Sequence, residues 1–563
     1  MKKELSFIVS LAMVAALSSC SSKLGALSAD NFMVTPNPLE AHAGQVPATI
    51  TGSFPEKYMK KKAVVTVTPV LKFNGKQVAG QSATFQGEKV QGNNQTISYK
   101  VGGRYTMRTA YPYQDEMEKS ELWLQFNAKV GKKTVAVPEV KVANGVIATS
   151  ELVKRTLASA TPSYGLDAFQ HTIQQKQTAT IQFLLGQANL RASELNKDNI
   201  KEFVAKLAEI QGNPEGNVLN NIEVSAYASP DGRYELNERL ANKRESVSTN
   251  YVNKQLKKTK LETNVDSKYT AEDWEGFQEL VGESSIQDKD LILRVLSMYQ
   301  DPEEREREIR NIATVYKDLA DGILPQLRRA RLTANYEIIG RSDDEIVAQL
   351  KADPSKLSVE ELLYGATIVD SNKDKEAFYT AATKQYPRDA RAFNNLGALA
   401  YQNGNLDTAA NYFTQAQRVS ANSAEANANL GLISLVNGKK EEAAQYLSKG
   451  GNANNVNEAL GALYLSQGQY SQAAQTLKGT NSNTQALAEI LNKDYTSAAA
   501  TLTSIKKQDA ITNYLKAIVS ARTNDSQGVS TYLRNAISQD STLRNYAKND
   551  LEFAKFASVV NGL

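Results

Sequence analysis

Cysteine and histidine are nearly missing from this chain of 563 residues: Cys20 is the one cysteine, and His42 and His171 are the two histidines. A single thiol excludes an intramolecular disulfide and a thiolate metal cluster. Two histidines far apart, with no metal-ligand spacing, argue against a histidine-based zinc site and a Ser-His-Asp arrangement. No GxxxxGK[ST] loop is there to cradle a phosphate. The net charge is only +4, so nothing electrostatic points to nucleic acid. With 61 acidic residues, no pair stands out as catalytic, Glu303-Glu304 and Asp343-Asp344 included. No enzyme, cofactor or metal is read from this sequence. The apolar run over 5–17 is too short to span a bilayer.

That run has secretory-signal proportions, with Lys2 and Lys3 before it and Leu17-Ser18-Ser19-Cys20 after it. LSSC resembles a lipobox. The resemblance implies a lipoprotein signal peptide over 1–19, lipid attachment at Cys20 and a lipidated tether over 20–27. Several acyl chains hold a protein far more firmly than one. Ser21, Ser22 and Lys23 follow, without the acidic run that surface-exported lipoproteins of gut and oral anaerobes tend to carry. The expectation is a lipid anchor in the outer membrane, on the periplasmic face rather than the cell surface.

A length of 563 residues predicts about three or four domains. Residues 28–150 read as all-β. Val64, Val65 and Val67 lie in a β-branched run, Asn74-Gly75 is a hairpin turn, and Leu122, Leu124 and Phe126 alternate with Trp123 and Gln125. A second alternating run over 134–142 precedes Asn144-Gly145. Short strands at this spacing predict a sandwich of immunoglobulin-like size.

The most informative stretch is 222–247. Ile222, Val224 and Ala226 alternate as a half-buried strand, and Ser229-Pro230-Asp231-Gly232 is a turn. A helix follows with an apolar stripe of Leu236, Leu240, Val247 and Tyr251. Asn237 and Arg244 stand seven apart, on one side of it, both able to look back at the loop. Here the chain resembles the OmpA-like, peptidoglycan-binding type of domain, whose pattern is TDxxG, four residues, then NxxLSxxRAxxV. Gly232, Asn237, Leu240, Arg244 and Val247 match it, while Ser229 replaces the aspartate and Asp231 lies two residues later. Versions reading ASP(D/E)G resemble envelope proteins of Gram-negative gut and oral anaerobes.

The resemblance implies an α/β domain over 166–340, with a first strand at 178–185, a helix at 199–210 and a returning strand at 332–338. A charge-rich insert over about 258–325 reads as mostly helical. The resemblance also implies a two-point clamp on a peptidoglycan stem. Arg244 would take a carboxylate, supported by Asn237, and Asp231 with Ser229 would stand where the family's aspartate meets the amine. The competing reading is an arginine that caps its own loop.

From 356 to 563 the sequence repeats. Leu396-Gly397 and Leu430-Gly431 lie 34 residues apart, each followed by a glycine and small residues; Leu460-Gly461, Gly468 and Ala473 come after. The spacing resembles an all-α tetratricopeptide-repeat solenoid, with 550–556 as a terminal capping helix. Asn394, Asn395, Asn427 and Asn429 are candidate partner-binding residues in its groove.

Two functions stay open. One is a non-catalytic outer-membrane lipoprotein scaffold that meets peptidoglycan and holds protein partners. The other is an accessory or assembly factor of a surface secretion or pilus-type machine, whose OmpA-like domain has lost wall binding.

Overall fold

The computed structural model of the protein describes residues 24–286, 289–311 and 313–563. The expected signal peptide and Cys20 lie outside them. Two compact units form: one holds the described residues up to Leu166 together with Val369–Leu563, and the other is Asp167–Ile368. No helix among the described residues is long and apolar enough to cross a membrane.

The first unit begins with strands β1 (Phe32–Thr35), β2 (Gln45–Phe54), β3 (Ala63–Phe73), β4 (Lys76–Ala79), β5 (Ala83–Gly87) and β6 (Gln95–Ile97). β7 (Gly103–Pro112), β8 (Ser120–Val130), β9 (Lys133–Val135) and β10 (Val140–Gly145) follow. One sheet has the order β1-β2-β7, and the other β10-β8-β3-β5-β6, with β4 on β3 and β9 on β8. The alternation in β3 and β8 carries Val65, Val67, Leu122 and Leu124 into a shared core with Ile50, Phe54 and Tyr111. Asn74-Gly75 makes the β3–β4 turn with φ of 44° and 73°, a left-handed pair that suits a hairpin.

Two expectations change here. The run over 134–142 is split around Pro138 into β9 and β10, and Asn144-Gly145 ends β10, paired to Glu121 and Ser120. The end of the expected tether docks, since Leu24 and Leu27 are buried in the sandwich core.

Val369–Leu563 is all-helical. After Asn372–Gln385 come five helix pairs: Ala390–Gln402 with Leu406–Val419, Ala424–Val436 with Lys440–Gly450, Val456–Ser466 with Tyr470–Leu477, Asn483–Leu491 with Tyr495–Ser504, and Ala510–Arg522 with Ser526–Gln539. Small residues set how closely each pair closes. A Cβ on Gly397 would sit 2.6 Å from the Phe413 ring, and one on Gly461 would sit 2.2 Å from Leu477. Leu543–Asn549, the 3₁₀ turn Leu551–Phe556 and Ala557–Asn561 cover the last pair, with Phe553 buried. The array was expected from 356, but the helix Val359–Gly365 belongs to the second unit.

The second unit is built on a four-stranded sheet of order β11-β14-β12-β13: β11 (Thr172–Gln182), β12 (Asn217–Tyr227), β13 (Asn264–Thr270) and β14 (Arg329–Ile339). β12 and β13 are parallel, and the other pairings are antiparallel. Helices Asp198–Gly212 and Tyr234–Thr259 contribute Ile200, Phe203, Leu207, Val252 and Leu256 to a core with Ile181, Val224 and Leu332. β13 was not foreseen. It falls inside the stretch expected to be a helical insert and reads as polar because its side chains are mostly exposed on an edge strand. The helical excursion starts only at Trp274 and has its own core of Phe277, Val281, Ile292, Leu296, Leu319 and Leu327.

Candidate functional site

Asparagine side chains carry one acceptor and an NH₂ donor, so each can match the C=O and N–H of a single extended residue. The repeat array uses this on its inner wall. Asn395 Nδ2 donates to the Gly165 carbonyl at 2.9 Å, and its Oδ1 accepts from the Gly165 N–H at 2.7 Å. Asn429 grips Ser163 in the same way, at 2.8 Å on both sides. Asn454 grips Tyr164, at 3.0 Å from the N–H and 2.7 Å to the carbonyl. Asn394 adds a bond to the Ser163 carbonyl at 2.9 Å and accepts one from Asn429 at 2.9 Å, which links the ladder laterally.

The chain held there is the protein's own. Residues 149–166 leave the sandwich and run along the groove from the last repeats towards the first. Thr149–Leu152, Val153–Thr156 and Leu157–Ser159 form short helical turns, and an extended stretch follows. Thr149 hydrogen-bonds Glu552 in the terminal cap. Thr484 Oγ1 lies 3.2 Å from Thr156 Oγ1, Asn483 donates to Ser159 at 3.1 Å, and the Tyr401 hydroxyl donates to the Leu157 carbonyl at 2.6 Å. Leu152, Val153, Leu157 and Ala160 join the apolar core of the array. Beneath this strap, burial raises the Glu458 carboxyl, opposed by the hydroxyls of Ser482, Thr484 and Thr480.

Of the four asparagines predicted to meet a partner, Asn394, Asn395 and Asn429 come together on the groove wall. All three are buried under the strap and are not open to a partner. Asn427 does not join them. It accepts from Gln417 and donates to the carbonyls of Ala421 and Ser423, so it secures the turn between its own helix and the one before. The correction has a simple cause: an exposed groove was assumed, and the segment that fills it lies more than 200 residues away in sequence. Asn454, Asn483, Thr484 and Tyr401 were missed. The 34-residue step from Asn395 to Asn429 was the available signal, because that step is one repeat and so one face.

The Arg244 site folds differently from the open fork expected. The buried stripe of Tyr234–Thr259 is Asn237, Ala241, Arg244, Ser248 and Val252, one position round from the apolar stripe read from sequence, and Leu236 is exposed. Arg244 is 1% exposed. Its Nε donates to the Gln187 carbonyl at 3.0 Å, Nη1 to Tyr227 at 2.9 Å and Nη2 to Leu184 at 3.3 Å, and its guanidinium lies over the Phe183 ring at 5.2 Å. Burial, with Arg328 nearby, pushes its pKa down to about 10, so it remains a cation at neutral pH.

Asp231 and Ser229 face Arg328 instead of an open recess. Arg328 Nη2 reaches Asp231 Oδ2 at 2.7 Å, Arg328 Nε donates to Ser229 Oγ at 3.0 Å, and Ser229 donates to Asp231. Asn237 donates to the Gly232 carbonyl at 3.1 Å and closes the loop. The space behind Pro230 is about 10 Å³, lined by Trp274, Phe277 and Tyr316. The positions expected to face a ligand, Arg244, Asn237, Asp231 and Ser229, are thus each taken up by the protein itself.

A family profile described as tetratricopeptide repeat matches residues 375–418 and 399–456. The C-terminal region therefore carries tetratricopeptide repeats, modules that bind other proteins. A comparison with curated proteins finds no match. Among solved structures, the chain is similar to a tetratricopeptide repeat protein from Parabacteroides merdae ATCC 43184, at 13% identity over 45% of this chain and 98% of that one, with a TM-score of 0.28. It is also similar to the APC/C hetero-tetramer Cut9-Hcn1, at 14% identity over 64% and 82%, with a TM-score of 0.29. Yeast Tom70 gives 10% identity over 64% and 78%, with a TM-score of 0.24.

Proposed function

We propose that this protein is a non-catalytic scaffold of the cell envelope, an accessory or assembly factor whose OmpA-like domain has given up wall binding. The β11-β14-β12-β13 order, with β12 and β13 parallel, and the NxxLxxxRxxV register of Tyr234–Thr259 support an OmpA-like origin for the second unit. Lys2, Lys3, the apolar run and LSSC support a lipid anchor at Cys20, in the outer membrane. The repeats support protein partners.

One observation carries the choice between the two functions left open: the Arg244 guanidinium is spent on three backbone carbonyls. A stem-peptide carboxylate would have to displace those bonds and break the Arg328–Asp231 pair before it could bind. Each such charge-assisted bond is worth about 1.5–3 kcal/mol. With the repeat groove also filled, partners would meet the outer faces of the array or of the insert.

The test is retention of the soluble chain, residues 21–563, on purified sacculi, with wild type beside Arg244→Ala. Retention of neither form is expected. Retention of wild type that Arg244→Ala abolishes would restore the wall clamp and overturn this reading.

A further inference from the structure

Loops 55–62, 88–94, 98–102 and 131–132 meet at one end of the sandwich. There β2 ends at Phe54 beside the start of β7 at Gly103, and β3 starts at Ala63 beside the end of β8 at Val130. Main-chain bonds tie the loops together: the Lys57 N–H donates to the Tyr99 carbonyl at 2.6 Å, Lys89 to Lys61 at 2.7 Å and Gly131 to Lys62 at 2.9 Å. They gather the exposed side chains of Lys61, Lys62, Lys89, Lys100, Lys132 and Lys133. None of these lysines forms an ion pair among the described residues. The acids of the loops are already engaged. Glu56 pairs with Lys57 at 3.4 Å, and Glu88 accepts from the Ser98 hydroxyl at 2.9 Å and the Tyr99 N–H at 3.3 Å. A dense group of unpaired cations attracts an anionic surface outside the protein, over a range of about 8–10 Å in physiological salt.

The N-terminal segment enters the sandwich by the same end. Phe32, the first residue of β1, pairs with Gly52 near the end of β2, and the Ser53 hydroxyl donates to the Asn31 carbonyl at 3.4 Å. Leu24 and Leu27 are buried in the sandwich core. From Leu24 back to Cys20 is four residues (24 − 20), a reach of at most about 14 Å. A lipid on Cys20 would hold the sandwich within that distance of a bilayer. We propose that the lysine end of the sandwich is a membrane-facing surface that binds anionic phospholipid headgroups. A basic patch is a known second signal beside acyl chains. Val101, 80% exposed next to Lys100, adds an apolar contact at the headgroup boundary. The position against a bilayer rests on the proposed anchor at Cys20, whereas the affinity for headgroups rests on the lysines.

Co-sedimentation of the soluble chain, residues 21–563, tests this, with phosphatidylcholine vesicles containing phosphatidylglycerol beside vesicles of phosphatidylcholine alone. Binding to the first kind only, weakening as salt rises, is expected. Each lysine near an anionic bilayer adds roughly fivefold in affinity, so K61Q/K62Q/K132Q/K133Q should lose on the order of a hundredfold or more. The control K254Q/K257Q/K258Q/K260Q removes the same charge from exposed positions around the end of Tyr234–Thr259 and should cost far less. Equal loss in the two variants would mean that net charge alone binds, and overturns the proposal, as does equal binding to both kinds of vesicle. Retention on sacculi without binding to vesicles would make this a wall-facing surface and overturns it too. Labelled palmitate incorporated in cells and lost in Cys20→Ala tests the anchor separately, and its failure would leave the vesicle result standing.

Discussion

Asn429 shows how much one amide can hold. It donates to the Ser163 carbonyl and to Asn394 and accepts from the Ser163 N–H, all out of water. Replacing it by alanine leaves a buried N–H and an amide oxygen without partners, a cost of about 2–4 kcal/mol. Asn429→Ala should therefore lower the denaturant midpoint of the first unit and speed protease cleavage within 160–166. An unchanged cleavage rate would mean that the bonds of Asn429 do not hold the strap in place. Arg244 makes the same point in the other unit. A residue type chosen in many proteins for reaching outward is here a tie between one loop and a strand end, and its hydrogen-bond partners are all main-chain oxygens.

The repeat helices close by steric fit rather than by charge. Gly461 lies on Val456–Ser466 against Leu477 of the following helix, and a Cβ there would overlap that side chain. Gly461→Ala should destabilise the array by roughly 1–3 kcal/mol, the cost of overpacking a filled core. Gly282, on the helix Trp274–Glu283, has open space for 4 Å around the point a Cβ would occupy, so Gly282→Ala should be neutral or stabilise by up to about 1 kcal/mol through helix propensity. In thermal melts Gly461→Ala should lower its transition, and Gly282→Ala should leave its transition in place or raise it. Elements of this kind were legible early. The repeat helices show their small and aromatic positions at fixed intervals, and β8 alternates over Leu122 to Phe126. β13 was hidden because an edge strand with exposed side chains has no apolar period to read.

The chain forms two compact units, which should unfold as separate transitions. Arg244→Met should lower only the transition of Asp167–Ile368, and Asn429→Ala only that of the unit holding Val369–Leu563. Calorimetry of the double variant should show the two shifts adding, as expected for sites without shared partners. A single transition moved by both substitutions would show that the units unfold as one. At this scale the first unit is discontinuous in sequence: the sandwich and strap come before the second unit, and the array comes after it.

Composition and period alone determined a great deal: an N-terminal β region, a strand-turn-helix over 222–247 and a C-terminal helical array. Those properties are local, since alternation, turn chemistry and repeat spacing each act within one or two elements. The state of both candidate sites was decided only by tertiary structure. Asn394, Asn395 and Asn429 mark a groove, but whether it is empty depends on Ser163 and Gly165, more than 200 residues earlier. Arg244 marks a fork, but its burial depends on carbonyls at Leu184 and Gln187 and on Arg328, which binds Asp231 beside it. A hydrogen-bonding side chain states what it can hold, and only the folded neighbourhood states what it is already holding.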